Sequence, residues 1–338
     1  MYFKKSSPKF VLMLSLLVML SSLQMTAFAT TDTLSSWNET TTKTAIKNFV
    51  ADVVQKNIPV EDRIAVFDMD GTVICEKPLW LEMNVAQTHM FRKTETDPTL
   101  ISNPLYEAAY NYGLVPTPAN RTAIEANVQP ILLESYKNVM QETYVSEVEA
   151  FITDTQNPDY KIALKDTFYK PMVELIQYLM NNDFEVYIVS GSEEGLIWGV
   201  CKGTLPLERD QLIGSRLMLT PDYERDGVLV RGDAFYAPIN LNNGKTENIY
   251  YEIGKRPIFA CGNTVDDFGM LSYASTNKTY PHISLLVNHD DAEREYKYNI
   301  NDRHEKINWE ASVKYKDWHV ISMKNDFKTI FMSSEPTK

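Results

Sequence analysis

The chain has 338 residues, with 33 Lys and Arg against 45 Asp and Glu and a formal net charge of −12. So acidic a composition excludes nucleic-acid binding as its main role, because phosphate backbones are gripped by an excess of Lys and Arg. It leaves room for a small phosphorylated ligand held by one or two local cations. Three cysteines are too few for a disulfide scaffold, and the length suffices for a large core with a sizeable insertion.

Residues 1–29 read as a secretory signal peptide. Lys4, Lys5 and Lys9 precede an apolar run from Phe10 to Leu20, and Ala27-Phe28-Ala29 offers a small-x-small cleavage site. The run falls short of the roughly 20 residues that a membrane span needs, and no Cys follows it for lipid attachment. The expected mature chain begins at Thr30, secreted or periplasmic, with no stable membrane anchor after cleavage. The removed segment carries three Lys and no acid, so the remainder is more acidic still.

Thr41 to Lys56 has apolar residues at helical spacing (Ala45, Ile46, Phe49, Val50, Val53), and with Trp37 it is expected to brace the domain that follows. Ile64-Ala-Val-Phe67 reads as a buried strand. Polar residues begin abruptly where it ends, in Asp68-Met-Asp70-Gly71-Thr72. Two acids so close repel unless a cation or a shared proton relieves them, and Gly71 lets the backbone turn behind them. Ligands of an open α/β sheet bind at that carboxyl end.

Between Cys75 and Asp166 strand signals are absent. Leu79 to Phe91, Leu105 to Tyr112, Thr122 to Met140 and Val145 to Ile152 read as helices, which suggests a cap over the site that excludes water and selects substrates. Trp80, Phe91 and Tyr110 are expected in its core. The α/β rhythm returns with helix Phe168 to Met180 and strand Phe184 to Val189. That strand ends at Ser190-Gly191-Ser192, whose hydroxyl and backbone can donate to a phosphate. Helix Glu193 to Cys201 follows.

Gln211 to Thr220 and Gly227 to Phe235 read as paired strands joined around Pro221-Asp222. Lys245 opens a helix running to Ile253 and can reach across a pocket as a fixed point charge. Strand Arg256 to Cys261 runs into Gly262-Asn263-Thr264-Val265-Asp266-Asp267, again oxygen ligands at a strand's end, and helix Phe268 to Tyr273 comes next. Hard oxygens from two such ends suit Mg²⁺, whereas the five His are scattered without zinc spacing. Glu76 and Lys77 either reach the leaving group or pair with each other or with the cap. His289, Asp290 and Asp291, after strand Ile283 to Val287, are either rim residues or a solvated loop. Cys75 and Cys261 read as small buried apolar residues first and a disulfide second.

The ordered set of Asp68-x-Asp70-Gly71-Thr72, strand-Ser190-Gly191, Lys245 and Gly262-Asn263-Thr264-x-x-Asp267 resembles the haloacid dehalogenase superfamily, in its phosphoserine-phosphatase-like branch of exported bacterial hydrolases. The tail segments Val287 to Tyr296 and Trp318 to Met323 resemble that branch too. The resemblance implies an α/β fold, a Rossmann-like parallel sheet with a helical cap inserted after the first catalytic motif. The expected organisation is a signal peptide (1–29), a helical brace (30–62), a catalytic core (63–78 and 166–338) and a cap (79–165).

The resemblance further implies Mg²⁺-dependent hydrolysis of a small phosphorylated metabolite, phosphoserine- or phosphocholine-like, outside the cytoplasm. Asp68 would be the nucleophile and Asp70 the general acid and base. Ser190, Gly191 and Lys245 would hold the phosphoryl oxygens. Asp68, the Asp70 backbone carbonyl and Asn263 would bind the metal, with Thr72, Asp266 and Asp267 in support. Many relatives have Asp where this chain has Asn263, which contributes no charge, so weaker metal binding is expected unless Asp266 compensates. A phosphotransferase or pyrophosphatase on the same scaffold, and a catalytically silent binding module, are the competing readings. No motif sets an oligomeric state.

Overall fold

Strand β1 (Ile64–Phe67) is buried along its whole length, and its two faces enter different apolar clusters. Ala65 and Phe67 pack into one and Ile64 and Val66 into the other, as the two-residue period of a strand requires. A strand covered on both faces reads as continuously apolar, which is the mark of a parallel sheet with helices above and below. The computed structural model describes residues 34–298 and 318–333, and in it this strand is central. The expected signal peptide, residues 1–29, lies outside the described residues.

β1 pairs in parallel with β2 (Glu185–Glu193) on one side and β6 (Phe259–Gly262) on the other. Beyond them lie β3 (Leu212–Ser215), β7 (Ile283–Asn288) and β8 (Trp318–Ser322), giving six parallel strands in the order β3-β2-β1-β6-β7-β8. Phe67 stands opposite both Ile188 and Cys261. That register brings Asp68, just after β1, Ser190, in the last part of β2, and Asn263, just after β6, to one edge.

Helices α1 (Thr41–Gln55) and, later in the chain, Lys170–Met180 cover the first face through Phe49, Val53, Met172 and Leu179. Helices Asn243–Ile253 and Phe268–Ser275 cover the second through Ile249, Met270 and Leu271. Each large apolar side chain so buried contributes about 1.5–3 kcal/mol. Trp37 is fixed from outside the sheet, its indole donating to the Pro171 carbonyl at 2.8 Å and its ring edge-on to Phe327.

The inserted segment holds α2 (Leu81–Thr96), α3 (Pro104–Leu114), α4 (Pro118–Glu125), α5 (Val128–Ser135) and α6 (Gln141–Asp154). The first four share an apolar cluster of their own, with Met83, Met90, Tyr106, Ile124 and Ile131 at its centre. α6 differs. Its Tyr144, Val148, Phe151 and Ile152 join the main core.

Two expected elements divide. The helix read from Thr122 to Met140 breaks at Ala126–Asn127, because Pro130 lacks an N–H and is tolerated only in a first turn, so a new helix starts just before it. The strand read from Gln211 to Thr220 divides at Arg216. β3 stays in the main sheet, while β4 (Leu217–Asp222) pairs antiparallel with β5 (Val228–Phe235). The turn of that ribbon also falls later than Pro221-Asp222, at Tyr223–Gly227, where Asp226 and Gly227 both take positive φ. Among the described residues, no helix is long and apolar enough to cross a membrane.

Candidate active site

The turn after β1 is tight and depends on Gly71. Its φ is +76°, a left-handed value that favours glycine, and a Cβ there would lie 2.0 Å from Asn263 Nδ2. Gly71 N–H donates to Ile74 at 2.7 Å and Val73 N–H to Met69 at 2.8 Å, which closes the turn and aims Asp68 and Asp70 into one cavity. That cavity has a volume of about 690 Å³. Asp68, Asp70, Ser190, Gly191, Lys245, Asn263, Asp266 and Asp267 all line it.

Lys245 lies near the start of the helix Asn243–Ile253 and is buried between two carboxylates. Its Nζ donates to Asp68 Oδ1 at 2.6 Å and to Asp267 Oδ1 at 2.7 Å. Burial alone would lower the lysine pKa, but the Asp267 and Asp68 charges outweigh it and the net shift is upward. Asp267 spends its other oxygen on the backbone N–H groups of Asn263 (2.8 Å) and Thr264 (3.0 Å), so it fixes both the cation and the loop after β6.

Asp68 is pushed upward by burial first and by the Asp267 charge next, with Lys245 opposing. Asp70 is held apart from this pair. Its Oδ2 accepts from Ser192 Oγ at 3.2 Å and its Oδ1 from the Leu81 N–H at 3.4 Å. Burial and the Glu76 charge raise it to about 6. One carboxylate is thus tied to a cation, and its neighbour is poised to carry a proton near neutral pH.

β2 does not end at Val189 as the sequence suggests. It continues in extended form through Ser190-Gly191-Ser192 to Glu193. Asn240 pins this extension by donating to the Ser190 carbonyl at 2.7 Å and to the Ile213 carbonyl at 2.9 Å. Thr72 sits beneath the cavity, its hydroxyl 3.1 Å from Asp68 Oδ2 and 3.3 Å from Asn263 Oδ1. Asp266 stands on the wall, half-buried, its carbonyl accepting from Asn242 N–H.

A family model described as haloacid dehalogenase-like hydrolase matches residues 65–272. The chain belongs to this family. A functionally unknown protein from Anaerococcus prevotii DSM 20548 has the same fold, with 16% identity, 86% of this chain and 94% of that one covered, and a TM-score of 0.53. More distant are a protein of unknown function from Bordetella pertussis Tohama I (14% identity, 77% and 98% covered, TM-score 0.45) and cytosolic 5'-nucleotidase IIIB bound to cytidine (14% identity, 75% and 80% covered, TM-score 0.44). No curated protein matches the sequence significantly.

The donor set of this hydrolase fits Mg²⁺. Asp68 Oδ2 and Asn263 Oδ1 both stand within hydrogen-bond reach of the one Thr72 hydroxyl, so two hard oxygens converge at one point. The Asp70 carbonyl accepts no hydrogen bond among the described residues. Nor are three His, Cys, Asp or Glu side chains grouped there to hold a metal. The protein therefore supplies one charged and two neutral oxygens, a set suited to a cation that keeps waters and shares a phosphate. Asn263 Nδ2 donates to Tyr298 Oη at 2.8 Å, which turns the amide oxygen toward Asp68.

Several residues around the site carry no local sequence signal. Glu76 accepts from Tyr296 Oη at 2.9 Å and stands 3.9 Å from Lys77, so the two pair with each other, and both line the cavity. His289 is neither rim nor solvated loop. It is buried under the catalytic turn, with Nε2 at 2.7 Å from the Gly71 carbonyl and Nδ1 at 2.9 Å from Glu295. Carboxylate and carbonyl oxygens at its two nitrogens favour the charged ring. Burial opposes this, but Glu295 prevails and raises its pKa. Asp290 and Asp291 turn to Ser322 and Arg294 instead. Trp80 lines the cavity while still packing on the cap cluster, whereas Phe91 and Tyr110 stack on each other. Cys75, Cys201 and Cys261 are free thiols, all buried.

A second buried network flanks the site. Arg231 on β5 donates to Gln141 Oε1 at 2.7 Å and Glu193 Oε2 at 2.9 Å, with its guanidinium 3.6 Å above the Tyr144 ring. Glu193 N–H donates to Glu82 on α2, a cavity-lining acid that burial and the Glu193 charge raise to about 8. β2, β5, α2 and α6 meet there.

Proposed function

We propose that this hydrolase cleaves phosphomonoesters through an aspartyl-phosphate on Asp68, with Mg²⁺ as cofactor. The observation that carries the reading is Lys245, held within 2.7 Å of both Asp68 and Asp267 at the head of β1, with Asp70 separately hydrogen-bonded two residues on.

Asp68 Oδ attacks phosphorus in line, and the bond from phosphorus to the leaving oxygen breaks. Asp70 gives its proton to that oxygen, which departs as the alcohol. Asp70, now ionised, takes a proton from a water that attacks the phosphorus of the acyl phosphate. Orthophosphate leaves, and Asp68 is restored. Ser190 Oγ, the Gly191 N–H and Lys245 Nζ bind the phosphoryl oxygens and offset the charge that builds on them. Asp68, the Asp70 carbonyl and Asn263 Oδ1 would hold Mg²⁺, which would supply positive charge beside the phosphoryl oxygens and the Asp68 carboxylate.

The substrate is a small phosphorylated metabolite, met outside the cytoplasm. The location rests on the basic, apolar and small-residue regions of residues 1–29. Asp68→Asn is expected to lower phosphate release at least about 10⁴-fold and to abolish a hydroxylamine-sensitive phosphoenzyme, and EDTA to stop turnover of the unaltered chain until Mg²⁺ is restored. Undiminished phosphate release in Asp68→Asn would defeat the proposal.

A further inference from the structure

The cavity is larger than a phosphoryl group requires. Ser190, Gly191 and Lys245 share its roughly 690 Å³ with a wall of which much is apolar. Trp80, Val128 and Leu132 come from the cap side, and Phe235, Ile239 and Leu241 from β5 and the loop after it. Val128 and Leu132 stand one turn apart on α5 and share a face. Ile239 and Leu241 are 39% and 43% exposed, apolar surface left in water unless something covers it.

This wall begins at the reacting centre. A Cβ on Gly191 would stand 2.3 Å from Leu241 Cδ2, so that leucine rests on the phosphate-binding strand end. Trp80, also on the cavity wall, directly precedes Leu81, whose N–H donates to Asp70, the acid that serves the leaving oxygen. A leaving group therefore departs between Trp80 and Leu241. The cations lining the cavity are already matched: Lys245 with Asp68 and Asp267, Arg121 with Glu125 at 2.7 Å, and Lys77 with Glu76 at 3.9 Å. A second anion on the substrate would meet Asp70, Glu76 and Asp266 without a partner.

Resting on the phosphatase reading above, we infer that the substrates are phosphomonoesters of alcohols that carry no second anion and bear a flat or branched apolar body, seated between Trp80 and Leu132 on one side and Phe235 and Leu241 on the other. Such a body covers the exposed wall, whereas a small zwitterionic ester such as phosphoserine leaves it wet.

The test compares kcat/KM for 2-phenylethyl phosphate, ethyl phosphate and phosphoserine, alkyl esters whose leaving oxygens are chemically alike. 2-Phenylethyl phosphate is expected to exceed each of the others at least about tenfold. Leu132→Ser is expected to cut the ratio of 2-phenylethyl to ethyl phosphate about three- to tenfold. Should that variant fail to fold, Val128→Ser at a half-buried position reads out the same ratio. Equal or better turnover of ethyl phosphate or phosphoserine overturns the inference and leaves the phosphatase reading standing, as does a ratio unmoved in the folded variant. Phosphate release from none of the three overturns both.

Discussion

Lys245 and Arg231 are both buried against carboxylates, yet they are held in opposite ways. Lys245 is a point charge between two acids, Asp68 and Asp267. Arg231 lays a planar fork against one acid, Glu193, and one amide, Gln141, and stacks on Tyr144. An ammonium shared by two acids can shift its weight as charge on one of them changes, and Asp68 is the one that would react. A guanidinium locked on three sides cannot, which suits a joint. On the proposed mechanism the first serves the chemistry, while the second ties α6 to β2 and β5.

The largest effect that would sharpen this contrast is on turnover. Lys245→Met is expected to lower kcat about 10²–10³-fold, because the charge facing the phosphoryl oxygens is gone. Steady-state phosphate release checks it. Arg231→Met leaves the Glu193 carboxylate buried without its cation and is expected to cost about 3–5 kcal/mol of stability in a denaturant melt, while kcat of the folded fraction falls less than about tenfold. If the two substitutions cut kcat alike where both are folded, the division between chemistry and joint breaks down.

A smaller effect tests the joint's protonation. Glu82 is raised from 4.5 to about 8, burial being the larger cause and Glu193 the next. Between those values the folded chain keeps a proton that the unfolded chain has lost, so stability falls as pH rises through that interval. Glu82→Gln is expected to flatten this slope in melts taken from about pH 5 to about pH 8. An unchanged slope would mean that the Glu82 proton does not differ between the two states.

Local chemistry made much of this protein legible. Apolar runs that stop abruptly at Asp68, Ser190 and Asn263 mark buried strands and their ligand-facing ends, and the family resemblance implied the parallel sheet that hides such runs on both faces. The breaks at Pro130 and Arg216 were less visible. A proline in a helical pattern moves the helix start rather than cancelling the pattern, and a strand that changes sheets keeps its β character throughout.

The sequence by itself determined the sheet, the place of the acids, the Lys and the Asn along it, and the helical character of the insertion, because these depend on periodicity and on where polarity begins. Tertiary structure alone decided that His289 holds the Gly71 carbonyl, that Tyr298 orients Asn263, that Arg231 meets Glu193, and that the cavity's far wall is apolar. Those contacts join residues dozens to hundreds of positions apart. No local pattern encodes such pairs. They exist only where packing removes water and leaves each buried polar group to find its partner within the fold.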